Sequence, residues 1–324
     1  MRYDPSEYLY ASTRVRALET RLISQQQLNR LLSLSTDKDV LNELLTKSAD
    51  TKRGDSTEAL LGERMQAALQ VVRESVPDPA LTHFLQYLYD CHNLKVLEKC
   101  RHRGLDPAGL LIDLGTVSAK TLQTVSENEL FALLPDHMRE AVAESRTAFA
   151  KTADPQEIDF ILDRAAFADM AAAAAPFPLA REWVRAKIDL SNLLFCLRLL
   201  RMQNGDLGRS ILTRAALPCG TVSTGTLAEC YDKGEDALVT LAQQTGYHGI
   251  FHQGVSLSEA EKLVDDRLMT LVRKARSVTF GAEVPVAYLL AAETDCKNLR
   301  ILLSGKKAGL DFDTIQSRMR ACYV

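Results

Sequence analysis

Long apolar runs are absent from this sequence. A membrane-spanning helix needs about 20 apolar residues, whereas the longest uncharged candidate, MAAAAAPFPLA, is shorter and contains Pro176 and Pro178. The opening segment, MRYDPSEYLYASTRVRALE, carries charges throughout and has no apolar core of signal-peptide length. We therefore expect a soluble cytoplasmic protein that meets a membrane only through its partners.

An excess of positive charge is absent as well. The formal net charge is −3 at pH 7, and charged residues make up 25% of the chain, as in ordinary globular proteins. A molecule with this charge exerts no overall attraction on nucleic acid or anionic lipid. We expect no nucleic-acid partner and no direct membrane span.

The seven cysteines form no C-x-x-C motif. Most of them lie inside apolar helical patterns, as Cys91, Cys196, Cys230 and Cys296 do. This placement favours reduced thiols that serve as small core residues over a redox role.

Alternating β-branched runs are scarce, and apolar residues recur three and four positions apart instead. Leu61, Met65 and Val72, for example, fall on one helical stripe. Ser258 and Glu261 have the spacing of a capping box and predict the start of another helix. The pattern predicts an all-α fold.

One phrase, Asp-x-x-Asn-Leu followed by basic residues and a glycine, occurs three times. The copies contain Asp90, Asn93 and Gly104; Asp189, Asn192 and Gly205; and Asp295, Asn298 and Gly309. Each glycine fits a left-handed residue that closes a helix C-terminus.

A second phrase, G-T-V-S-x-x-T-L, begins at Gly115 and at Gly220, and a weaker relative, RLISQQQL, begins at Arg21. Both phrases recur in the same order about 100 residues apart, which is too long for a helical-pair solenoid. We therefore predict three homologous helical-bundle repeats in a pseudo-threefold arrangement. Their predicted bounds are 1–113, 114–217 and 218–324.

The Asp and Asn of each phrase share one helix face and have apolar neighbours such as Leu94. Because a buried polar group without a partner is costly, we expect these side chains to hydrogen-bond a neighbouring helix or to cap the VS-x-x-TL turn. A catalytic role would require the carboxylates of Asp90, Asp189 and Asp295 to converge, and the phrase supplies no nucleophile or base.

Basic residues crowd the helix end after each phrase. The candidate partner contacts are Arg101 and Arg103, Arg198 and Arg201, and Lys306 and Lys307, together with Arg14 and Arg16 near the opening helix. Cations at a helix C-terminus complement the helix dipole. If the three ends share one face, they also form a positive rim for an acidic partner.

Motifs of established chemistry are incomplete. SGKKAG lacks the earlier glycine of a phosphate-binding loop, since that position is Arg300, and VDDRLM lacks a third acid at Met269. His248 and His252 lie among glycines that predict a loop. We predict no catalytic residue, no cofactor and no metal site.

Taken together, the chain resembles the C subunit of the V-type and A-type rotary ATPases, which is named the d subunit in eukaryotes. The resemblance is carried by YLYASTRVRALETRLIS, the Asp-x-x-Asn-Leu phrases, the G-x-VS-x-x-TL phrases and the tail ETDCKNLRILLSGKKAGL…ACYV. It covers essentially the whole chain. The second copy departs most, with Leu190 and Ser191 inside the phrase and its glycine two residues later.

This resemblance implies a funnel of three bundles and a non-catalytic part of the central rotor. Such a part is a socket that links the stalk, made of the D and F subunits, to the membrane rotor ring of proteolipid subunits. It transmits torque for proton or sodium transport coupled to ATP hydrolysis or synthesis, and it is peripheral to the membrane. The alternatives are a generic all-α adaptor and an unrecognised helical enzyme.

Overall fold

A computed structural model describes residues 4–46, 57–203 and 205–324. These residues form α-helices joined by turns and short 3₁₀ segments, with no strand among them, which confirms the all-α prediction. The α-helices of the described residues are α1 Leu9–Glu19, α2 Gln25–Ser33, α3 Asp37–Thr46, α4 Thr57–Ser75, α5 His83–Arg103, α6 Ala119–Glu127, α7 Asp136–Thr152, α8 Pro155–Ala174, α9 Pro178–Met202, α10 Gly205–Ala215, α11 Thr224–Lys233, α12 Glu235–Gln244, α13 Leu257–Arg273, α14 Glu283–Lys307 and α15 Phe312–Arg318.

The chain divides into two compact units. Unit 1 combines Met1–Pro79 with Ser258–Val324, and unit 2 is the continuous segment Ala80–Leu257. The repeated Asp and Asn residues lie on the long helices α5 and α9 of unit 2 and α14 of unit 1. These two units do not test the division of the chain into three sequence repeats, which stays a prediction.

Within unit 2, helices α5 to α8 enclose one hydrophobic core. Each of the four contributes buried side chains, such as Leu94, Leu122, Met138 and Leu162. Helices α5 and α8 run antiparallel, because α5 residues later in the sequence pair with α8 residues earlier in it. Lys95 Nζ lies 2.5 Å from Asp163 Oδ1, and Lys99 Nζ lies 2.6 Å from Asp159 Oδ1. This bundle therefore extends from α5 to α8 across residue 113.

A buried ion pair fixes three helices of the same bundle. The Glu98 carboxylate on α5 is fully buried and accepts two hydrogen bonds of 2.8 Å from the Arg146 guanidinium on α7. Ser126 at the end of α6 donates a third, at 3.4 Å. Removing one partner of such a pair leaves a buried charge uncompensated, so the pair holds α5, α6 and α7 in one register.

The helix ends follow the glycine prediction in two copies and depart from it in one. Gly104 closes α5 with a φ of 63°, and Gly309, with a φ of 69°, follows α14. In the second copy, α9 ends at Met202, and Gln203 takes the left-handed conformation with a φ of 54°. Gly205 has the predicted positive φ, of 50°, but it is the first residue of α10 and does not close α9.

The predicted capping box was also wrong in position. Helix α13 begins at Leu257, so Ser258 lies inside its first turn. A capping box is present at Ser24, whose hydroxyl accepts from the Gln27 N–H at 3.2 Å while the Gln27 side chain accepts from the Ser24 N–H at 3.0 Å. The signal S-x-x-Q was present in RLISQQQL.

The left-handed caps give a first test. A side chain at positive φ carries a steric cost that glycine avoids, so Gln203→Gly should raise the free energy of unfolding by about 0.5–1 kcal/mol. Gly104→Ala should lower it by about 1 kcal/mol through backbone strain alone, since a Cβ there meets no atom within 4 Å. Urea denaturation followed by circular dichroism measures both changes. A Gln203→Gly variant that is no more stable than the wild type would show that Gln203 carries no such steric cost.

Candidate functional site

The first repeated aspartate lies on α5 and holds the turn that leads into α6. The buried Asp90 carboxylate accepts hydrogen bonds from the Thr116 hydroxyl at 2.6 Å and from the Thr116 N–H at 3.0 Å. A longer bond of 3.4 Å comes from the Val117 N–H. Ser118, the next residue, is the N-cap of α6. The carboxylate therefore fixes the backbone immediately before the helix start.

The second site repeats this arrangement between α9 and α11. The buried Asp189 carboxylate accepts from the Thr221 N–H at 2.7 Å and the Val222 N–H at 3.1 Å, and it also accepts from the Thr221 hydroxyl. Tyr247 adds a hydroxyl at 3.0 Å. Ser223 is the N-cap of α11. The sequence offered no signal for Tyr247, which lies 58 positions from the aspartate.

The third site, in unit 1, is poorer in donors. Asp295 on α14 accepts from the Ile23 N–H at 2.8 Å, directly before Ser24, the N-cap of α2. Leu22 occupies the register of Thr116 and Thr221 and has no hydroxyl to donate. RLIS therefore uses the same capping geometry with fewer hydrogen bonds.

Each asparagine pairs with the backbone of one residue in both directions, as donor and as acceptor. The pairs are Asn93 with Ile112, both bonds 2.8 Å; Asn192 with Leu217, 3.0 and 2.8 Å; and Asn298 with Arg320, 3.1 and 2.8 Å. In unit 2, the segment held by the asparagine leads directly into the turn held by the aspartate. In unit 1, Arg320 and Ile23 belong to opposite parts of the sequence, so two distant segments complete the third site.

The glycine of G-T-V-S is required for space. A Cβ at Gly115 would lie 2.0 Å from Asp90 Oδ1, and one at Gly220 would lie 2.4 Å from Asp189 Oδ1. Neither glycine has a positive φ. Glycine is therefore required at both positions because the carboxylate approaches the backbone too closely for a Cβ.

Burial raises the pKa of two of these aspartates, and hydrogen-bond donors oppose the rise. Burial raises the pKa of Asp295 to about 7, opposed by the Ile23 N–H and by the charge of Arg64. Burial also raises the pKa of Asp90, where the hydroxyl and N–H of Thr116 and the N–H of Val117 oppose it. Among the described residues the hydrogen-bond donor to Asp295 is the Ile23 N–H, which compensates its burial only in part, so its proton is held more tightly than that of an ordinary aspartate.

The expectation that the polar pair would cap the VS-x-x-TL turn agrees with these contacts. The aspartates of unit 2, Asp90 and Asp189, each bind their own turn. The part played by the hydroxyls of Thr116 and Thr221 was not predicted, although T is present in both copies of G-T-V-S.

Several candidate partner contacts bind inside the protein. Arg16 reaches the carbonyls of Ala275 at 2.6 Å and Val278 at 2.8 Å and forms an ion pair with Glu19 at 2.8 Å. Arg14 forms an ion pair with Glu74 at 3.1 Å. Both arginines therefore connect elements of unit 1.

At the basic helix ends, internal partners and exposed cations occur side by side. Arg101 lies 3.5 Å from Glu129, and Arg201 lies 2.7 Å from Glu235. Lys306 donates to the carbonyls of Leu32, at 2.9 Å, and Leu34 at the end of α2. Arg101, Arg103, Arg198 and Lys307 are exposed at these ends.

The two histidines of YHGIFHQG, His248 and His252, lie in the loop between α12 and α13. In residues 4–46, 57–203 and 205–324, no group of three or more His, Cys, Asp or Glu side chains is placed to hold a metal ion. No helix within those same ranges is long and apolar enough to cross a membrane.

Comparison with known proteins gives consistent matches over nearly the whole chain. A family model described as ATP synthase (C/AC39) subunit matches residues 11–318. The C subunit of the V-type sodium ATPase of Enterococcus hirae is 26% identical over 98% of this chain and 99% of its own length. The C subunit of the A-type ATP synthase of Halobacterium salinarum is 24% identical over 97% and 98%. That of Thermococcus gammatolerans is 22% identical over 93% and 86%.

The close approach of glycine and carboxylate gives a second test. In Gly220→Ala the new Cβ would lie 2.4 Å from Asp189 Oδ1 and 2.9 Å from Ile188 Cγ2, so the free energy of unfolding should fall by about 1–3 kcal/mol. Gly225→Ala is the matched control, because its Cβ would meet Ser223 Oγ at an ordinary 3.8 Å. The free energy of unfolding of both variants is measured by denaturant titration. An equal loss in the two would show that the Asp189 contact is not the cause.

The raised pKa of Asp295 gives a third test, through pH. The folded protein binds the proton more tightly than the unfolded chain, whose aspartates titrate near pH 4, so the stabilising contribution is complete below that pH. The free energy of unfolding should therefore fall by about 2–4 kcal/mol between pH 4 and pH 7 relative to Asp295→Asn. Asparagine keeps an oxygen acceptor for the Ile23 N–H but does not titrate. Parallel stability curves for the two proteins across this range would be inconsistent with the prediction.

Proposed function

The chain belongs to the ATP synthase (C/AC39) subunit family, and we propose that it is the non-catalytic socket of the central rotor in a V/A-type ATPase. In this role it links the stalk of the D and F subunits to the membrane rotor ring of proteolipid subunits. It transmits torque between ATP hydrolysis or synthesis and the transport of protons or sodium ions. It lies on the cytoplasmic side, peripheral to the membrane through the complex.

The observation that carries this proposal is the extent of the match. The family model spans residues 11–318, and the relatives from Enterococcus hirae and Halobacterium salinarum cover 98% and 97% of the chain. Both relatives are named as the C subunit of a rotary enzyme, a V-type sodium ATPase in one case and an A-type ATP synthase in the other. A match over whole lengths supports a shared role for the whole molecule.

The repeated capping sites suit a torque-bearing part. A buried carboxylate that binds the backbone before a helix resists rotation of that helix, because any displacement would leave the charge without donors. Asp90 holds α5 to the start of α6 in this way, and Asp189 holds α9 to the start of α11. Close-packed helices transmit strain with little compression.

The two alternatives predict different behaviour. A generic adaptor would bind partners other than a rotor ring and a stalk. A helical enzyme would need free carboxylates around a substrate, whereas Asp90 and Asp189 are engaged by hydroxyl and backbone donors of their own turns. Those contacts favour a structural use of both aspartates.

The exposed cations at the helix ends are the proposed partner contacts. Arg103 and Lys307 are exposed, whereas Arg16 and Lys306 donate to backbone carbonyls of unit 1. Charges at an interface rim act mainly on association and on its salt dependence. Substitutions for the partner-binding test should therefore begin with the exposed group.

Binding of the purified chain to a detergent-solubilised rotor ring and, separately, to a D–F stalk complex tests the proposal. We expect binding to both, with at least one affinity falling about tenfold between low and high salt. Arg103→Glu with Lys307→Glu should weaken one of the two complexes, and Lys120→Glu with Lys151→Glu, at two exposed lysines on α6 and α7, is the charge-matched control. Binding of the wild-type chain to neither partner would refute the socket.

A further inference from the structure

An open groove of about 550 Å³ lies in unit 2, beside the turn that Asp90 holds. The rings of His83 and Tyr87 on α5, with centroids 5.8 Å apart, form an aromatic part of its lining. The rest comes from residues 116–118, from the first turn of α6 and from residues 133–135 before α7. We call this feature the α5–α7 groove.

Two leucines of the segment before α7 face water. Leu133, which lines the groove, is 59% exposed, and Leu130 is 65% exposed. Between them lies Phe131, whose ring centroid is 5.2 Å from the Arg146 guanidinium carbon. The exposed leucines therefore belong to a segment that is anchored to α7. An apolar surface that faces water at the edge of a groove is typical of a binding site.

In the second copy, the chain covers the corresponding turn with its own residues. The Tyr247 hydroxyl binds the Asp189 carboxylate at 3.0 Å, at the same oxygen that accepts from the Thr221 hydroxyl. Tyr247, Ile250 and Phe251 are all buried. The segment that contains them follows the additional helix α12. A phenol and two apolar side chains thus close the second site.

The first copy has a shorter connection at this point. After α6 the chain reaches α7 through residues 128–135, without another α-helix. Within the described residues, Asp90 receives its hydrogen bonds from Thr116 and Val117 and not from Tyr87. The turn is therefore held as in the second copy, but the space beside it is open. The second site indicates which chemistry fits there, namely a tyrosine with apolar neighbours.

The lining of the α5–α7 groove matches that chemistry. Leu133 offers apolar contact, and the rings of His83 and Tyr87 can pack against the face or edge of another ring. The hydroxyls of Ser118 and Thr121 share a hydrogen bond of 2.7 Å. Because a hydroxyl can take part in more than one hydrogen bond, this pair can also bind a phenol.

We propose that the α5–α7 groove is the docking site of the central stalk, and that the stalk inserts a loop in which a tyrosine is flanked by apolar side chains. The stalk is a single shaft, whereas the rotor ring presents the same subunit repeatedly around its axis. Repeated ring subunits would be matched by equivalent open sites, but Tyr247 closes the second site of unit 2. Because the occupant is the stalk, this site rests on the proposed function.

Binding of the intact chain to a D–F stalk complex and to a detergent-solubilised rotor ring tests the site. Leu133→Asp places a charge on the groove at a side chain that already faces water, and circular dichroism checks its folding. We expect its affinity for the stalk to fall by about tenfold or more, at low and at high salt alike, because a charge replaces an apolar contact. Its affinity for the ring should not change.

Leu207→Asp is the matched control, because Leu207 is 62% exposed on α10 of the same unit and does not line the groove. This variant should keep the wild-type affinity for both partners. Stalk binding that Leu133→Asp leaves unchanged, or an equal loss of ring binding, would overturn the docking site while the proposed function stands. Failure of the wild-type chain to bind the stalk would overturn both.

A photocrosslinker identifies the occupant independently of any loss of affinity. With p-benzoylphenylalanine in place of Leu133, irradiation of the assembled complex should join the chain to a stalk peptide that contains a tyrosine, as identified by mass spectrometry. The absence of a cross-link, a cross-link to the ring, or a cross-link to a stalk peptide without a tyrosine would overturn the proposal.

Discussion

A carboxylate that leaves water needs donors to replace those it loses, and this requirement organises the three repeated sites. Asp90 and Asp189 meet it with the hydroxyl and backbone N–H of a threonine and the N–H of the following valine. Because the carboxylate approaches so closely, the residue before each threonine must be glycine. The serine after the valine then caps the next helix. One buried charge thus accounts for most of the G-T-V-S phrase.

Local patterns in the sequence were sufficient for the helices, for the left-handed Gly104 and for the polar pair as a turn cap. These local patterns did not predict contacts between distant segments. Gln203 is the left-handed residue because it lies eleven positions after Asn192, as Gly104 lies eleven positions after Asn93. Spacing within the repeat therefore outweighed the preference for glycine. The partners Tyr247 of Asp189 and Ile23 of Asp295 depend on tertiary packing, which no short-range spacing encodes.

The basic helix ends show why charge clusters in a sequence are ambiguous. Lysine and arginine near a helix C-terminus interact favourably with the helix dipole, yet in this structure they also have specific partners. Arg201 reaches Glu235, and Lys306 binds the carbonyls that end α2. An ion pair with a neighbouring helix reduces the charge that is left for another molecule. The positive surface at these helix ends is therefore smaller than the sequence suggests, and its exposed cations include Arg103 and Lys307.

Unit 1 is built from two separate segments of the chain, and this arrangement sets an order of events during synthesis. Unit 2 is continuous and can fold as it emerges, whereas the segment Met1–Pro79 must wait for α13, α14 and the C-terminal tail. At ribosomal speeds of about 5–20 residues per second, making unit 2 takes about 10–40 s, during which the buried faces of α1, α2 and α4 lack their cover. We expect the nascent N-terminal segment to be a binding target for chaperones until contacts such as that of Ile23 with Asp295 join the two parts.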